Sequence, residues 1–562
     1  MSASSHPLAT AAGISALNRG GNAVDAAVAT AFALAVVEPA MSHLGGQGNA
    51  IICMAGSEPV ALDFYATAPR DARPDMYRWI PGATQGLYRF HTEGDRNTTG
   101  PLSVAVPGAV AGWLYAHERW GRLPLPLILE PAATLAEQGV PLTPRMAGFV
   151  AEGRDRLAQF PATRRVWLHP DGSPLAAGEI VTQPQLADTI RLIAEDGLEA
   201  FYDGPLAESM VRMVRDGGGI LTRDDLLEYP TRRFRVDEPP AVAFGPVRVA
   251  AAPVSSAVVL LPLLRLLDLL QVDRHEPLAP AKLHLMIEAM KLTFADRSLY
   301  SGDPDFVNVP LAGLLDDAYQ EARLQQIDPR RAGSYGPGDP WRFQEAKPDP
   351  RLFTPTPEGR IAGGQDAHTT HHSHVDRWGN MVSMTQSLGD AFGSAVMVPD
   401  HGFFLNNAMK LFDPRPGRAN SIAPHKRPAT APCPTMAFLG PNPVLALGSP
   451  SGTRILNAIA QVLVHVFRHG LSLQYAVNLP RLHWSGDELE IESDLPAAAQ
   501  EDLASRGHRL ERRSARSPWF GAVQAVARDP ASALCQGAAD PRRQGAVSGT
   551  TMLDEFWSEH GH

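Results

Sequence analysis

Gly363-Gly364-Gln365-Asp366-Ala367-His368-Thr369-Thr370-His371-His372-Ser373-His374-Val375-Asp376 is the stretch on which the fold turns. Upstream of it, Arg330 to Ala367 is rich in Pro, Gly, Asp and Arg, lacks periodicity, and reads as a long exposed loop or linker. Downstream the pattern changes at once. Thr369 to Val375, a turn at Asp376-Arg377-Trp378-Gly379-Asn380, and Met381 to Leu388 predict a β-hairpin. A linker running straight into a strand is the layout in which chain cleavage would leave Thr369 as a new N-terminus. A threonine hydroxyl is a weak nucleophile that needs a base. An N-terminal threonine carries one, its α-amine, with an unperturbed pKa of about 7.7–8.0. Threonine at a strand start also suits plain β propensity, so spacing alone leaves both readings open.

Two other constellations compete nearby. His368, His371, His372 and His374, followed by Asp376, resemble half of a zinc-hydrolase motif. Zinc needs three or four ligands converging on one point. Strand alternation puts His372 and His374 on the face of His368 and turns His371 away, and Arg377 rather than another ligand follows Asp376. Polar strand positions are the better reading, and no metal site is expected. Gly448-Ser449-Pro450-Ser451-Gly452 has the outline of a serine nucleophile elbow, but Pro450 stands where the serine belongs. As a turn with free backbone N–H groups at a helix start, it suits an oxyanion.

Further out, Asn22 caps a predicted helix over the alanine-rich run Ala23 to Val37, with Asp25 in its first turn. Leu44 to Asn49 reads as a glycine turn before a strand from Ala50 to Met54. It lacks the strand-turn-helix context of a dinucleotide loop. Apolar residues at Leu283, Ile287, Met290 and Phe294 predict a helix to Tyr300, ended by Gly302-Asp303-Pro304-Asp305. Strands are predicted at Thr435 to Leu439 and Val444 to Leu447, with a helix from Thr453 to His469. Val254 to Leu270 is the most apolar stretch. Pro262, Arg265 and Asp268 interrupt it, so it reads as a core helix and not a membrane span.

The 562 residues, 44% hydrophobic and 20% charged, suit a globular protein with a large core; the length alone gives a soft prior of three or four domains. A net charge of -10 without basic runs argues against a nucleic-acid surface. Cys53, Cys433 and Cys535 form neither a disulfide framework nor a metal set. Met1 to Pro7 shows no signal-peptide pattern, and a cytoplasmic location is expected.

A run of motifs in order then resembles the γ-glutamyltransferase family of N-terminal nucleophile hydrolases. They are Gly20-Gly21-Asn22-Ala23-Val24-Asp25-Ala26-Ala27, Leu44-Gly45-Gly46, Val106-Pro107-Gly108 with Gly112, and Phe201-Tyr202-Asp203-Gly204. Then come His284-Leu285-Met286 with Glu288-Ala289-Met290-Lys291, Ala295-Asp296-Arg297, Gly302-Asp303-Pro304-Asp305-Phe306, Thr369-Thr370-His371, Gly379-Asn380, Leu405-Asn406-Asn407 and Gly448-Ser449-Pro450. The resemblance implies an α+β, four-layer αββα sandwich. It implies a proenzyme cut between His368 and Thr369 into a large subunit, residues 1–368, and a small subunit, residues 369–562, which stay together. Thr369 falls on the family nucleophile and Ser387 on a supporting hydroxyl. Ser451 and Gly452 fall on the two oxyanion amides. No cofactor is implied, and the partners expected are a small-molecule amide and the two subunits, without nucleic acid or membrane.

The departures lie in the family's grip on the glutamyl α-amino acid. An Arg that holds the α-carboxylate becomes Tyr65, and an Asn becomes Gly389. A Gln and an Asp become Ala408 and Leu411, and two serines become Thr430 and Ala431. Phe412-Asp413-Pro414, Pro416-Gly417-Arg418 and Ser421-Ile422-Ala423-Pro424 resemble the cephalosporin-acylase-like branch. The expectation is an amidase or acylase for an acyl group lacking the glutamyl α-amino acid. The alternatives are a γ-glutamyl enzyme whose clamp is rebuilt from Arg70, Arg415, Arg418 or Arg427, an oxamate-type amidohydrolase, a metal hydrolase, and an uncut binding paralogue.

Overall fold

The computed structural model describes residues 1–84, 90–347, 368–484, 486 and 488–550 as a single polypeptide. Two antiparallel sheets form its centre. The first has seven strands, in spatial order Ala546–Ser548, Ser2–Ser4, His368–Val375, Met381–Gly389, Gln47–Cys53, Val60–Phe64 and Arg235–Asp237. The second has six, in order Cys535–Ala539, Gln524–Arg528, Asn442–Gly448, Thr435–Leu439, Val247–Ala251 and Ala241–Phe244.

Side-chain alternation along the strands builds the layers. Ile51, Cys53, Met381, Met436, Phe438, Ala446 and Val526 pack together between the sheets. Their neighbours Ala50, Ile52, Leu62, Val382 and Met384 turn outward onto a helical layer containing Val24, Val28, Phe32 and Trp113. On the far side Val249, Ala437, Leu445 and Leu447 meet Leu260, Leu264, Ile287, Ile455 and Ile459. The result is helix, sheet, sheet, helix, the αββα order expected.

The predicted helix Ala23–Val37 forms, and it is buried along its whole length. Asn22 Oδ1 accepts from the N–H groups of Val24 and Asp25 at 2.9 and 3.1 Å, and Asp25 Oδ2 accepts from Asn22 N–H at 2.8 Å. This reciprocal cap satisfies the donors that a helix start leaves open. The hairpin, the helices Pro280–Tyr300 and Arg454–Phe467 and the strands Thr435–Leu439 and Asn442–Gly448 match the pattern-based expectations within a few residues. Val254–Leu269 is a buried core helix. Among the described residues, no helix is long and apolar enough to cross a membrane.

One expectation needs correction and one needs refinement. The strand after the glycine turn begins at Gln47, so Gly48 lies inside the sheet. A Cβ there would sit 2.4 Å from Thr385 O and 2.6 Å from the Phe64 ring, so close strand contact is what requires glycine. The first part of the expected linker is largely exposed, as read, but it is anchored at several points. Gly333 N–H donates to Glu288 Oε2 at 2.8 Å, Gly338 N–H to Asp296 Oδ1 at 2.8 Å, and Trp341 is buried. Residues 348–367 of that stretch lie outside the described residues.

Candidate active site

Strand His368–Val375 is wholly buried and lies between Ser2–Ser4 and Met381–Gly389. Its odd-numbered side chains face the second sheet. Thr369 is 2% exposed, and its Oγ1 donates to Ser387 Oγ at 3.3 Å. Ser387 Oγ in turn donates to the carbonyl oxygen of His368 at 2.7 Å. One serine hydroxyl therefore links the Thr369 hydroxyl to the carbonyl of the peptide bond just before it. The register explains this closeness. His368 pairs with Gly389 and Thr369 with Ser387, so Leu388 is an extra residue in a bulge opposite the His368–Thr369 bond. Gly389 has φ +100°, and a Cβ on it would lie 2.2 Å from Asn407 Oδ1. No side chain fits at this position.

Gly448-Ser449-Pro450-Ser451-Gly452 closes the site from the second sheet. A Cβ on Gly448 would lie 2.3 Å from the His371 ring, so glycine lets the two sheets approach here. Neither the Ser451 nor the Gly452 N–H finds an acceptor among the described residues. Arg543, 7% exposed, donates to Thr369 O at 2.8 Å and to Ser451 Oγ at 3.0 Å. The sequence reading missed Arg543, since nothing local marks a residue 174 positions from its acceptor.

The even-numbered side chains face the helical layer. Thr370 Oγ1 donates to Glu38 Oε2 at 2.7 Å, and Ser5 Oγ donates to the same oxygen at 2.6 Å. His372 Nδ1 lies 2.8 Å from His374 Nε2. His371, on the opposite face, has Thr385 Oγ1 at 2.8 Å and Ser373 Oγ at 2.9 Å on its two nitrogens. The histidines point to different faces and do not converge. Burial pushes His368, His371 and His374 well below the ordinary imidazole range and His372 down to about 3, so all four are neutral near pH 7.

A different trio, His284, Glu288 and His508, does converge. Its donor set is already engaged. Lys291 Nζ donates to Glu288 Oε1 at 2.7 Å, and His284 Nδ1 lies 2.9 Å from His508 Nε2. An ammonium on the carboxylate makes this an internal polar network that braces Gly333, and a poor cation site.

The expected substrate-binding positions divide into two groups. Tyr65 and Thr430 face each other and line a cavity of about 190 Å³ with Asp63, Asp303 and Arg427. Ala408 packs among Ala66, Ala68, Met409, Phe412 and Ile422, and Leu411 is half-buried on the same turn. Between them, Lys410 Nζ pairs with Asp390, which Asn407 also holds. Asp390 and Lys410 line a second cavity of about 380 Å³ with Thr98, Thr99 and Arg156. Of the arginines offered as a rebuilt clamp, Arg70 pairs with Asp224 at the surface and Arg415 grips Asp413 through two bonds of 2.9 and 2.8 Å. Arg427 is buried beside Tyr65 but has Asp305 at 3.3 Å and Asp63 at 3.6 Å.

With this geometry in view, residues 9–550 match the model of the family described as Gamma-glutamyltranspeptidase. The chain belongs to the gamma-glutamyltranspeptidase family. It is 35% identical over 558 residues to a glutathione hydrolase proenzyme of Bacillus subtilis, covering 98% of this chain and 92% of the relative. It is 37% identical over 555 residues to the acylase ACY 1 proenzyme of a Pseudomonas strain, covering 98% and 94%. Among solved structures, a cephalosporin acylase from Bacillus halodurans superposes with a TM-score of 0.85 at 28% identity, covering 98% and 95%. The chain is thus an enzyme of the hydrolase and acyltransferase class with the N-terminal nucleophile hydrolase fold. Both curated relatives carry the word proenzyme in their names.

Proposed function

We propose that this chain cuts itself between His368 and Thr369 and then cleaves amides of an acyl group lacking the glutamyl α-amino acid. The observation that carries the first half is the shared hydroxyl of Ser387, 3.3 Å from Thr369 Oγ1 and 2.7 Å from the His368 carbonyl oxygen. In self-cleavage, Thr369 Oγ1 attacks the His368 carbonyl carbon while Ser387 hydrogen-bonds the developing oxyanion. The C–N bond breaks, the Thr369 nitrogen takes the proton, and an ester to Thr369 remains. Water hydrolyses that ester, leaving a His368 carboxylate and a free Thr369 α-amine.

In turnover the α-amine takes the Thr369 hydroxyl proton as the oxygen attacks a substrate amide. The N–H groups of Ser451 and Gly452 hold the oxyanion. The leaving amine departs with the proton, and water releases the acyl group. Residues 1–368 and 369–562 are the two subunits of the mature enzyme.

Support for the second half comes from the residue types at the family's substrate-binding positions. Tyr65, Ala408 and Leu411 carry no charge. Gly389 has no room for a side chain, and the Arg427 charge is shared by Asp305 and Asp63, while its Nε and Nη2 make no hydrogen bond among the described residues. A hydrogen bond to a charged group contributes roughly 1.5–3 kcal/mol. Losing one at each end of a glutamyl α-amino acid removes about 3–6 kcal/mol, a factor on the order of 10²–10⁴. The test compares kcat/KM for glutaryl- and γ-glutamyl-p-nitroanilide on cut enzyme. A higher value for the glutaryl compound is expected. A preference for the γ-glutamyl compound would sink the acyl assignment and point to Arg427 as a rebuilt carboxylate ligand.

A further inference from the structure

Ser451 sits at φ +93°, a backbone state that favours glycine and strains any other residue. Such a residue persists only where its surroundings over-determine it. Two contacts do so here. Ser451 Oγ donates to Pro518 O at 3.4 Å and accepts from Arg543 Nη2 at 3.0 Å. The other terminal nitrogen of the same guanidinium donates to Thr369 O at 2.8 Å. A planar fork therefore spans the two walls of the site, one prong on the Thr369 strand and one on the turn that follows Asn442–Gly448. The neighbouring Ser449 is braced independently, its Oγ accepting from Ala522 N–H at 3.1 Å.

We propose that Arg543 is a positioning residue that ties the Ser451–Gly452 turn to the nucleophile's own carbonyl and keeps Ser451 in its left-handed state. This rests on the reading of Thr369 as nucleophile and of that turn as its oxyanion cradle. Fixing the Thr369 carbonyl restrains the Cα that bears the future α-amine and, through Cβ, the hydroxyl. Fixing Ser451 Oγ aims the two turn N–H groups. The bridge thus sets the distance between attacking oxygen and oxyanion donors, which catalysis needs held closely. The Ser451 hydroxyl and Arg543 act as one device.

The test is a double-mutant cycle on the full chain, with Ser451→Gly, Arg543→Ala and the pair, plus Arg543→Lys. Arg543→Ala should lower kcat for glutaryl-p-nitroanilide roughly ten- to a hundred-fold with KM nearly unchanged. Because glycine adopts φ +93° without strain, the same substitution in the Ser451→Gly background should cost about three-fold or less. Arg543→Lys should behave like Arg543→Ala, since one ammonium cannot span two acceptors as a planar fork does; it also keeps the charge if Arg543→Ala fails to fold. A rise in KM with kcat retained would make Arg543 a substrate contact and overturn the proposal. So would equal losses in both Ser451 backgrounds. If cut wild-type enzyme ignores the anilides, the acyl reading fails separately, and self-cleavage rates of the same chains still measure the coupling.

Discussion

At the scale of single residues, the proposed chemistry concentrates on Thr369 and Ser387. Thr369→Ala should remain one chain on a denaturing gel. Ser387→Ala removes the hydroxyl on the His368 carbonyl and should slow self-cleavage about 10²–10³-fold, the usual loss for one oxyanion donor. Fragment yield against time checks both, and prompt cutting of Ser387→Ala would remove Ser387 from the mechanism. The pH profile follows from the same residues. The Thr369 α-amine acts as base only when neutral, so turnover should rise with pH through a single ionisation near the ordinary α-amine value. The buried His371 is neutral well below that range and adds no second limb. Two ionisations in kcat/KM between pH 5 and 9 would point to a side-chain base.

At the scale of the element, strand His368–Val375 carries a cost. Burial holds the imidazoles of His368, His371, His372 and His374 below their ordinary pKa. For a base with a depressed folded pKa, the unfolded chain binds protons first. The stability these groups contribute is present above the unfolded value of about 6.5 and is lost as pH falls below it. Each histidine contributes a slope of up to about 1.4 kcal/mol per pH unit. The denaturant midpoint should therefore drop steeply from pH 6.5 toward 4. A flat midpoint over that range would mean that the histidines are solvated or protonated in the native state.

At the scale of the molecule, the two sides of the cut are interleaved. In the seven-stranded sheet, Ser2–Ser4 pairs on both edges with strands from beyond Thr369, and Met381–Gly389 pairs with Gln47–Cys53. In the second sheet, Val247–Ala251 pairs with Thr435–Leu439. Separating the fragments would break backbone ladders in both sheets and open all three apolar layers. The cut fragments should co-elute at the mass of the whole chain in native gel filtration and part only under denaturing conditions. Dissociation on cleavage in buffer alone would contradict this strand order.

The sequence by itself determined the strand beginning at the Thr369 boundary, the capped Ala23–Val37 helix and the family motifs. These are carried by periodicity, caps and residue types within a few positions of one another. Tertiary structure decided the bulge at Leu388 that puts Ser387 on the His368 carbonyl, and the Asn407 contact that keeps Gly389 bare. It also decided the Glu38 support under Thr370, the anchoring of the 330–347 stretch, and the Arg543 fork. These join residues outside one another's local pattern, such as Ser387 and His368, 19 positions apart, and Glu38 and Thr370, 332 positions apart. Local pattern carries no signal for such pairs, because strand register and sheet-on-sheet packing alone bring them together.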